Sequence, residues 1–330
     1  MCKVKVSVIV PVYGVEKFII HCVDSLMAQT MHEGVEYIFV DDASQDASIE
    51  RLKSVLSKYP ERTSQVKILV HERNMGLPAA RNTGLVQARG EYVFHCDSDD
   101  FVDPEMLDTL YGKAKEEDAD IVWCDWFLTF GSTERYMAQP ECGSPKDALK
   151  AMLGGAMKFN VWNKLVRRSL YTDNAIVFPA GYGMGEDMTM MMLFAYARKV
   201  AYVPKAFYHY VKTNTTAFSQ TYSARHLEEL RYNVERISSF IRKRYGNSME
   251  KEIAFMKLEA KFPFLMSDGK NGKYKLWSSW YPEANRYIMQ NTNTSMRRRL
   301  VQWCAGKNLF VFVWLHHVLL NKIVYGILYR

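Results

Sequence analysis

The chain has 330 residues, 48% of them hydrophobic and 24% charged, a composition that suits a globular protein built as one large domain with an elaborate second part, or as two domains. Its net charge of +7 is unevenly spread: residues 1–130 carry 22 acids against 13 bases, residues 131–283 carry 14 against 23, and from 284 on there are seven bases and no acid. An acidic first half excludes a nucleic-acid surface there, because a phosphate backbone is met by Lys and Arg, and it suits a site that recruits anions through a bound cation.

In chain order, Val4–Val10 is rich in β-branched residues and closes at Pro11, which predicts a buried first strand. Apolar residues at 15, 18, 19, 22, 23 and 26 form a helical stripe over Val15–Ala28. Tyr37–Val40 is a second strand ending in Asp41-Asp42, and Ser44 or Asp46 can cap a helix running to Ser57. Val66–Val70 predicts a third strand, and Leu77–Ala88 a helix with Pro78 at its start and Gly90 after its end. Tyr92–Cys96 predicts a fourth strand, Pro104–Glu117 a helix and Ile121–Cys124 a fifth strand. Beyond residue 130 the alternation stops. There the chain predicts a helix near Lys146–Leu153, a short helix after Val161–Leu165, a helix over Met188–Ala197, two short strands around Pro204, and helices over 223–245 and 248–266.

Strand–helix alternation at this spacing implies a Rossmann-like α/β fold: a doubly wound, mostly parallel sheet flanked by helices. Ligands of such sheets bind outside the carboxyl ends of the strands. The polar residues that fall there are Pro11–Gly14, Asp41-Asp42, Asn74–Gly76 and Asp97-Ser98-Asp99-Asp100. The last of these packs three carboxylates into four residues, a cluster that repels itself unless a cation is held against it. Hard cations such as Mn²⁺ or Mg²⁺ take carboxylate oxygens and share them with phosphates; the bland alternative is a solvated acidic turn that caps the next helix. Along the strand Asp97 and Asp99 alternate to one side, so Asp97 can meet a ribose and Asp99 the metal. Asp100 is left to the following helix. Asp42 can accept a hydrogen bond from a uracil N3–H or form an Asx turn, and Tyr13 can stack on a base. Glu186-Asp187 follows a glycine-rich loop, Gly181–Gly185. There an acid can act as general base or simply cap a helix. Met188, Met190, Met191 and Met192 read as core filling, and His209 as structural or acceptor-facing.

Six cysteines show no C-x-x-C pair, and Cys96 and Cys124 sit in apolar runs, as reduced core thiols do in a reducing compartment. No h-region with a cleavage site follows Met1 and no run of 18 apolar residues occurs, so neither a secretory leader nor a spanning helix is expected.

Taken together, Val6–Glu16, Val40–Asp46, Asn74–Asn82, Gly90–Tyr92, Trp162-Asn163-Lys164, Gly185-Glu186-Asp187 and Tyr208-His209-Tyr210 resemble, in order, the motifs of the family 2 glycosyltransferases of the GT-A fold, especially bacterial enzymes of surface-polysaccharide assembly. The likeness covers roughly residues 4–220. It implies a catalytic domain over 1–220, with a nucleotide-binding half (1–130) and an acceptor half (131–220), followed by a helical C-terminal region over 221–330. It implies that Pro11, Tyr13, Glu16, Asp42, Arg81 and Asp97 line a nucleotide-sugar site, that Asp99 holds Mn²⁺ or Mg²⁺, and that Asp187 is the catalytic base. Trp162, Asn163, Lys164 and Glu186 fall on the acceptor side. The donors so implied are nucleotide-sugars, most often UDP-linked, with inversion at the anomeric carbon and a glycan or lipid-linked acceptor. Gly14 stands where the family usually has Asn, and Ala43 where it often has Gly. A nucleotidyltransferase would carry a Gly-rich, basic loop after the first strand; here Pro11–Gly14 has only Lys17 nearby. A non-catalytic glycan-binding scaffold would have no use for Asp42, Asp97, Asp99 and Asp187 together.

At the tail, Arg297-Arg298-Arg299 precedes the apolar runs 309–315 and 318–320, which are interrupted by His316-His317. This is too short and polar to span a bilayer and suits lying on an anionic membrane face. The alternatives are a helix packed on the core or the seam of a homodimer. The expected location is the cytoplasm, peripheral on the cytoplasmic face of the inner membrane, and no nucleic-acid partner is expected.

Overall fold

The structure is a computed structural model that describes residues 4–212, 223–266 and 272–319. The first part alternates as the periodicity predicts: β1 (Val6–Val12), α1 (Ile19–Met27), β2 (Val35–Asp41), α2 (Ser48–Leu56), β3 (Val66–Val70), α3 (Leu77–Gln87) and β4 (Tyr92–His95). There follow β5 (Phe101–Val102), α4 (Met106–Glu116), β6 (Ile121–Phe130), β7 (Thr133–Met137), α5 (Pro145–Gly154), β8 (Lys164–Arg167), α6 (Arg168–Asp173), α7 (Thr189–Tyr196) and β9 (Val200–Val211). The rest is helical: α8 (Ala224–Tyr245), α9 (Glu250–Lys261), α10 (Lys273–Ser279), α11 (Met296–Gly306) and α12 (Phe310–Leu319).

The chain divides into two units, Met1–Ala148 with Phe159–Asn233, and Leu149–Lys158 with Val234–Arg330. The first holds a sheet ordered β3-β2-β1-β4-β8-β6-β9-β5, with β7 hairpinned onto β6. β1, β2, β3 and β4 are parallel, and Val12 is level with Asp41 and Ile9 with His95. These four strands therefore end at one edge. β1 and β2 are buried along their whole length, which is why they read as continuous apolar runs.

Past β4 the order departs from the expected one. The fifth predicted strand, β6, does not lie beside β4, because β8 inserts antiparallel between them, with Phe94 level with Leu165 and Trp123 level with Lys164. The segment after Val161 was expected to turn helical but first forms this strand. Antiparallel insertion brings the start of β8, Asn163-Lys164, to the same edge as the end of β4. The two strands expected around Pro204 are one, β9, whose pairing with β6 slips between Cys124 and Trp126, so that the strand continues past Pro204. Met188, Met190 and Met191 are core, as expected.

The second unit packs α9 against a 3₁₀ segment over Pro282–Gln290, with Trp277, Leu258, Phe264, Ile288, Val301 and Val313 in its core. Lys261 is buried there, donating to the carbonyl of Trp280 and the Asn285 side chain, each at 2.7 Å. No helix among the described residues is long and apolar enough to cross a membrane. The end of the predicted tail, residues 320–330, lies outside the described residues.

Candidate active site

The loops after β1 and β2 are knitted together. The Glu16 N–H donates to Asp46 Oδ2 at 3.0 Å, and Glu16 Oε2 accepts from the Ala47 N–H at 3.2 Å. Gly14 has φ +65° and Ala43 φ +58°. The left-handed region suits Gly or Asn at position 14, and makes Ala43 strained where a glycine would be relaxed, by about 1–2 kcal/mol. Tyr13 stands 53% exposed at this edge; Pro11 is buried inside β1.

Asp42 is at the edge but only 1% exposed. Its Oδ1 faces His71 Nδ1 at 2.6 Å and accepts from the Met75 N–H at 2.8 Å, while Oδ2 accepts from the Gly76 N–H at 2.8 Å. The opposite nitrogen of His71 meets Thr83 at 2.8 Å. Asp42 thus anchors the loop that feeds α3, where Gly76 turns at φ +86° and Pro78 starts the helix.

One turn into α3, Arg81 reaches the centre of the site, 1% exposed. Its Nη2 donates to Asp97 Oδ1 at 2.9 Å; its Nη1 donates to Glu186 Oε1 at 2.9 Å and to Asp187 Oδ1 at 2.6 Å. One guanidinium therefore joins the end of β4 to the turn that opens α7. Burial alone would depress its pKa, but Asp187, Asp97 and Glu186 carry it well above the ordinary arginine value, so it stays charged. Burial and then the charge of Asp187 push the Glu186 carboxyl up to about 8, with Arg81 opposing. Burial likewise raises Asp187, against the pull of Arg81. A carboxylate lifted toward neutral pH is a better base than an ordinary aspartate.

Lys164 lies behind Asp187, its Nζ bonded to the Asn160 carbonyl at 2.7 Å and Asn163 Oδ1 at 2.8 Å. Burial pulls its ammonium down to about 7, against the charge of Asp187. Asn163 is fully buried and donates to the Cys124 carbonyl at 2.8 Å. Trp162, also buried, stacks on Tyr208 with ring centroids 4.3 Å apart. The Trp-Asn-Lys motif therefore underlies the site; its side chains do not reach the surface.

The acidic cluster splits. Asp97 keeps part of its carboxylate accessible and Asp99 is half-buried, but Asp100 is turned fully inward. Asp100 Oδ2 accepts from the Tyr208 hydroxyl at 2.7 Å and Oδ1 from the Val211 N–H at 2.8 Å. The expectation that Asp100 serves the following helix is corrected by these bonds: it ties the cluster to β9, and the start of α4 is met by Gln29, which accepts from the Leu107 N–H. The Tyr208 hydroxyl also accepts from the Asp97 N–H at 3.1 Å, holding that residue in place. This role of Tyr208 was invisible in the sequence, where it was one tyrosine beside His209. His209 itself is sandwiched by Phe101 and Phe127 and bonded to Glu134 and Asp103, a structural position.

Among the described residues there is no group of three or more His, Cys, Asp or Glu side chains able to hold a metal by themselves. The donor set nonetheless fits a hard cation of the kind that shares itself with phosphate: Asp97 and Asp99 offer one or two carboxylates, and the remaining positions fall to diphosphate oxygens and water. With the Glu186 carboxyl lifted to about 8, the carboxylates of Asp97, Asp99 and Asp187 face the Arg81 guanidinium and a Lys164 ammonium pulled down to about 7, so the site carries an excess of negative charge.

The glycine loop before Asp187 is tied down by α8. Met184 N–H donates to Glu229, Asn233 donates to the carbonyls of Tyr182 and Met184, and Tyr182 stacks on Tyr232 at 3.7 Å. Nothing in the periodicity of 223–245 announced this.

A family model, glycosyl transferase family 2, matches residues 7–181. The chain is 34% identical over 213 residues to EpsH of Bacillus subtilis (strain 168), whose name places it among glycosyltransferases; the match takes in 62% of this chain and 60% of EpsH, so the chain spans less than two thirds of that relative's length. The crystal structure of S. aureus TarS 1-349 in complex with UDP-GlcNAc shares the fold with a TM-score of 0.67 at 22% identity, over 95% of this chain and 91% of that one. The mannosyltransferase PcManGT from Pyrobaculum calidifontis, in complex with GDP-Man and Mn²⁺, superposes with a TM-score of 0.56 at 16% identity, over 95% of this chain and 87% of that one. The sheet with its flanking helices is therefore the GT-A fold, and the chain belongs to glycosyl transferase family 2.

Proposed function

We propose that the chain is an inverting glycosyltransferase that moves a sugar from a nucleotide-sugar, a UDP-hexose or UDP-N-acetylhexosamine, to a hydroxyl of a glycan or lipid-linked acceptor in bacterial surface-polysaccharide synthesis. The observation that carries this is the Arg81 bridge, which holds a candidate base, Asp187, 2.6 Å from the same guanidinium that takes Asp97 at the end of β4. Family membership supports the reaction class. The UDP-GlcNAc bound to TarS supports the donor class, and the Mn²⁺ of PcManGT supports a divalent cation.

In this reading Tyr13 covers the base, Pro11 and the Glu16–Asp46 clasp shape its loop, and Asp42 positions the 71–76 loop beneath it. Asp97 meets the ribose. Asp97 and Asp99 would hold Mn²⁺ or Mg²⁺, which when bound offsets charge gathering on the leaving diphosphate. Asp187 takes the proton of the acceptor hydroxyl as that oxygen attacks the anomeric carbon from the face opposite the diphosphate, which inverts the centre. Glu186, sharing Arg81, keeps its proton and so spares the site a further negative charge. Trp162, Asn163 and Lys164 position Asp187 from behind.

We place the reaction in the cytoplasm, at the cytoplasmic face of the inner membrane where a lipid-linked acceptor is presented. UDP release measured over a panel of UDP-sugars with Mn²⁺ tests the reading. A donor-specific turnover abolished by Asp187→Asn supports it, and turnover untouched by that change rejects it.

A further inference from the structure

The second unit carries features that sugar transfer does not use. A cavity of about 260 Å³ opens at the first turn of α11, lined among others by Asn293, Ser295, Arg297, Arg298, His316 and Met266. Both ring nitrogens of His316 are buried with no hydrogen-bond partner among the described residues. Arg298 is spoken for: it pairs with Glu259 at 2.7 Å and its guanidinium lies 3.8 Å over the Phe262 ring. That leaves Arg297, which is exposed, and His316 as the groups able to meet an incoming anion, with the Asn293 amide and Ser295 hydroxyl as further donors. A buried polar group without a partner is costly, and a multi-oxygen anion is the ligand that satisfies several such donors at once.

Beside this cavity the surface is apolar. On α11, Met296, Leu300 and Trp303 are exposed at positions i, i+4 and i+7, one face of the helix, with Lys307 one turn further on. On α12, Val311, Phe312, Trp314, Leu315 and Leu319 are exposed and Val313 is turned into the core. A helix that keeps one valine inside and shows a Phe, a Trp and three aliphatic side chains to the outside is built to meet an apolar phase. No acid occurs from residue 284 on, and Glu259, the acid beside the cavity, is already paired with Arg298. Aromatic and aliphatic side chains beside cations, at a cavity that takes an anion, match the boundary between acyl chains and phosphate headgroups.

We propose that this surface of the second unit docks on a lipid bilayer, with the phosphate of a lipid headgroup seated in the cavity at Arg297 and His316 and the exposed faces of α11 and α12 in the acyl boundary. The proposal sharpens the placement of the reaction at the membrane and rests on it for its purpose, but its test needs no catalysis. The full chain is floated with phosphatidylcholine vesicles, with and without phosphatidylglycerol. It is expected to bind the anionic vesicles preferentially. Arg297→Gln with His316→Gln should weaken that preference by about fivefold, for the one charge lost at Arg297. Phe312→Ser with Trp314→Ser should release the chain from both vesicle types. The melting shift on adding a UDP-sugar, kept in each variant, shows that the fold survives.

Three results overturn the proposal. One is equal partitioning of the parent chain and both double variants. Another is release of vesicle-bound chain by millimolar inorganic phosphate, which makes the cavity a site for a free anion. The third is a dimer that Phe312→Ser with Trp314→Ser converts to monomer while vesicle binding is unchanged, which makes the apolar face a seam between two copies.

Discussion

Arg81 Nη1 donates to Asp187 Oδ1 at 2.6 Å, across 106 residues of chain. The same side chain holds Asp97 and Glu186, so a single buried cation sets the distance between the end of β4 and the turn opening α7. Asp97, Glu186 and Asp187 are thereby fixed to one another inside a single unit of the chain.

Replacing Asp187 by Asn keeps its shape and its contact volume but removes the proposed base. Turnover should fall by about 10²–10⁴-fold, the usual contribution of a positioned general base. Donor affinity, read by calorimetry with a UDP-sugar, should be close to that of the parent. A parallel loss of donor affinity would make Asp187 a binding residue instead.

Arg81→Met leaves buried carboxylates without their counter-charge. Breaking a buried pair by removing one partner costs about 3–5 kcal/mol, and here one partner serves three. Urea unfolding should show a loss of at least that order. Lost activity with unchanged stability would instead mean that Arg81 acts on the donor itself.

Glu186 makes the fold sensitive to pH. Its carboxyl is pushed from the ordinary 4.5 up to about 8, first by burial and then by Asp187. Between those values Glu186 is protonated in the folded chain and ionised in the unfolded one, so its contribution to stability is fullest below about 4.5 and is lost as pH rises through 8. Glu186→Gln should flatten this slope in a melting series across the window. Asp187, also raised, keeps the slope from vanishing. An unchanged slope in the Gln variant would mean that Glu186 is ionised throughout.

Asp99 and Asp100 are adjacent and should behave oppositely. Asp99→Ala should abolish the part of UDP binding that depends on Mn²⁺. Asp100→Ala strands the Tyr208 hydroxyl and the Val211 N–H and should cost about 1–3 kcal/mol for each group left unpaired, seen in unfolding. Equal effects of both substitutions on Mn²⁺-dependent binding would put Asp100 at the metal and contradict its inward bonds.

Asp42→Ala removes the acceptor for two backbone N–H groups and for His71. The 71–76 loop should loosen, with faster amide exchange at Met75 and Gly76 and a weaker grip on the donor. Unaltered exchange there would mean that the loop holds without it.

The alternation of β-branched runs with helical stripes made the four parallel strands legible. β1, β2 and β4 are short and buried along their length, and local pattern follows burial closely in such strands; β3, at the sheet edge, is half-buried and is legible from its β-branched run. The insertion of β8 was not legible: Lys164–Arg167 is four residues long, and nothing local says that it pairs antiparallel beside β4. The site was readable as residue types at strand ends, but the partners of those residues were not. Asp42 read as a ligand for a base or an Asx turn, and its bonds run to His71 and the 75–76 amides; Asp100 read as serving the following helix and is bonded to β9. In both cases a short acidic side chain at a turn has several local uses, and the choice is made by a distant hydrogen-bond partner.

The sequence by itself determined the α/β class, the first four strands, the edge where polar residues gather and the family to which the chain belongs, because these depend on periodicity and on short motifs in order. Only the tertiary structure decided how the carboxylates divide. Asp97 and Asp187 share Arg81, Asp100 turns inward to Tyr208, and Trp162-Asn163-Lys164 lie beneath the site, since these are contacts between residues up to about a hundred positions apart. The cluster of three acids at Asp97, Asp99 and Asp100 is tolerated because a guanidinium from α3 takes Asp97, while burial raises the Asp100 carboxyl well above the usual carboxylate range and a tyrosine and a backbone amide from β9 bond to it.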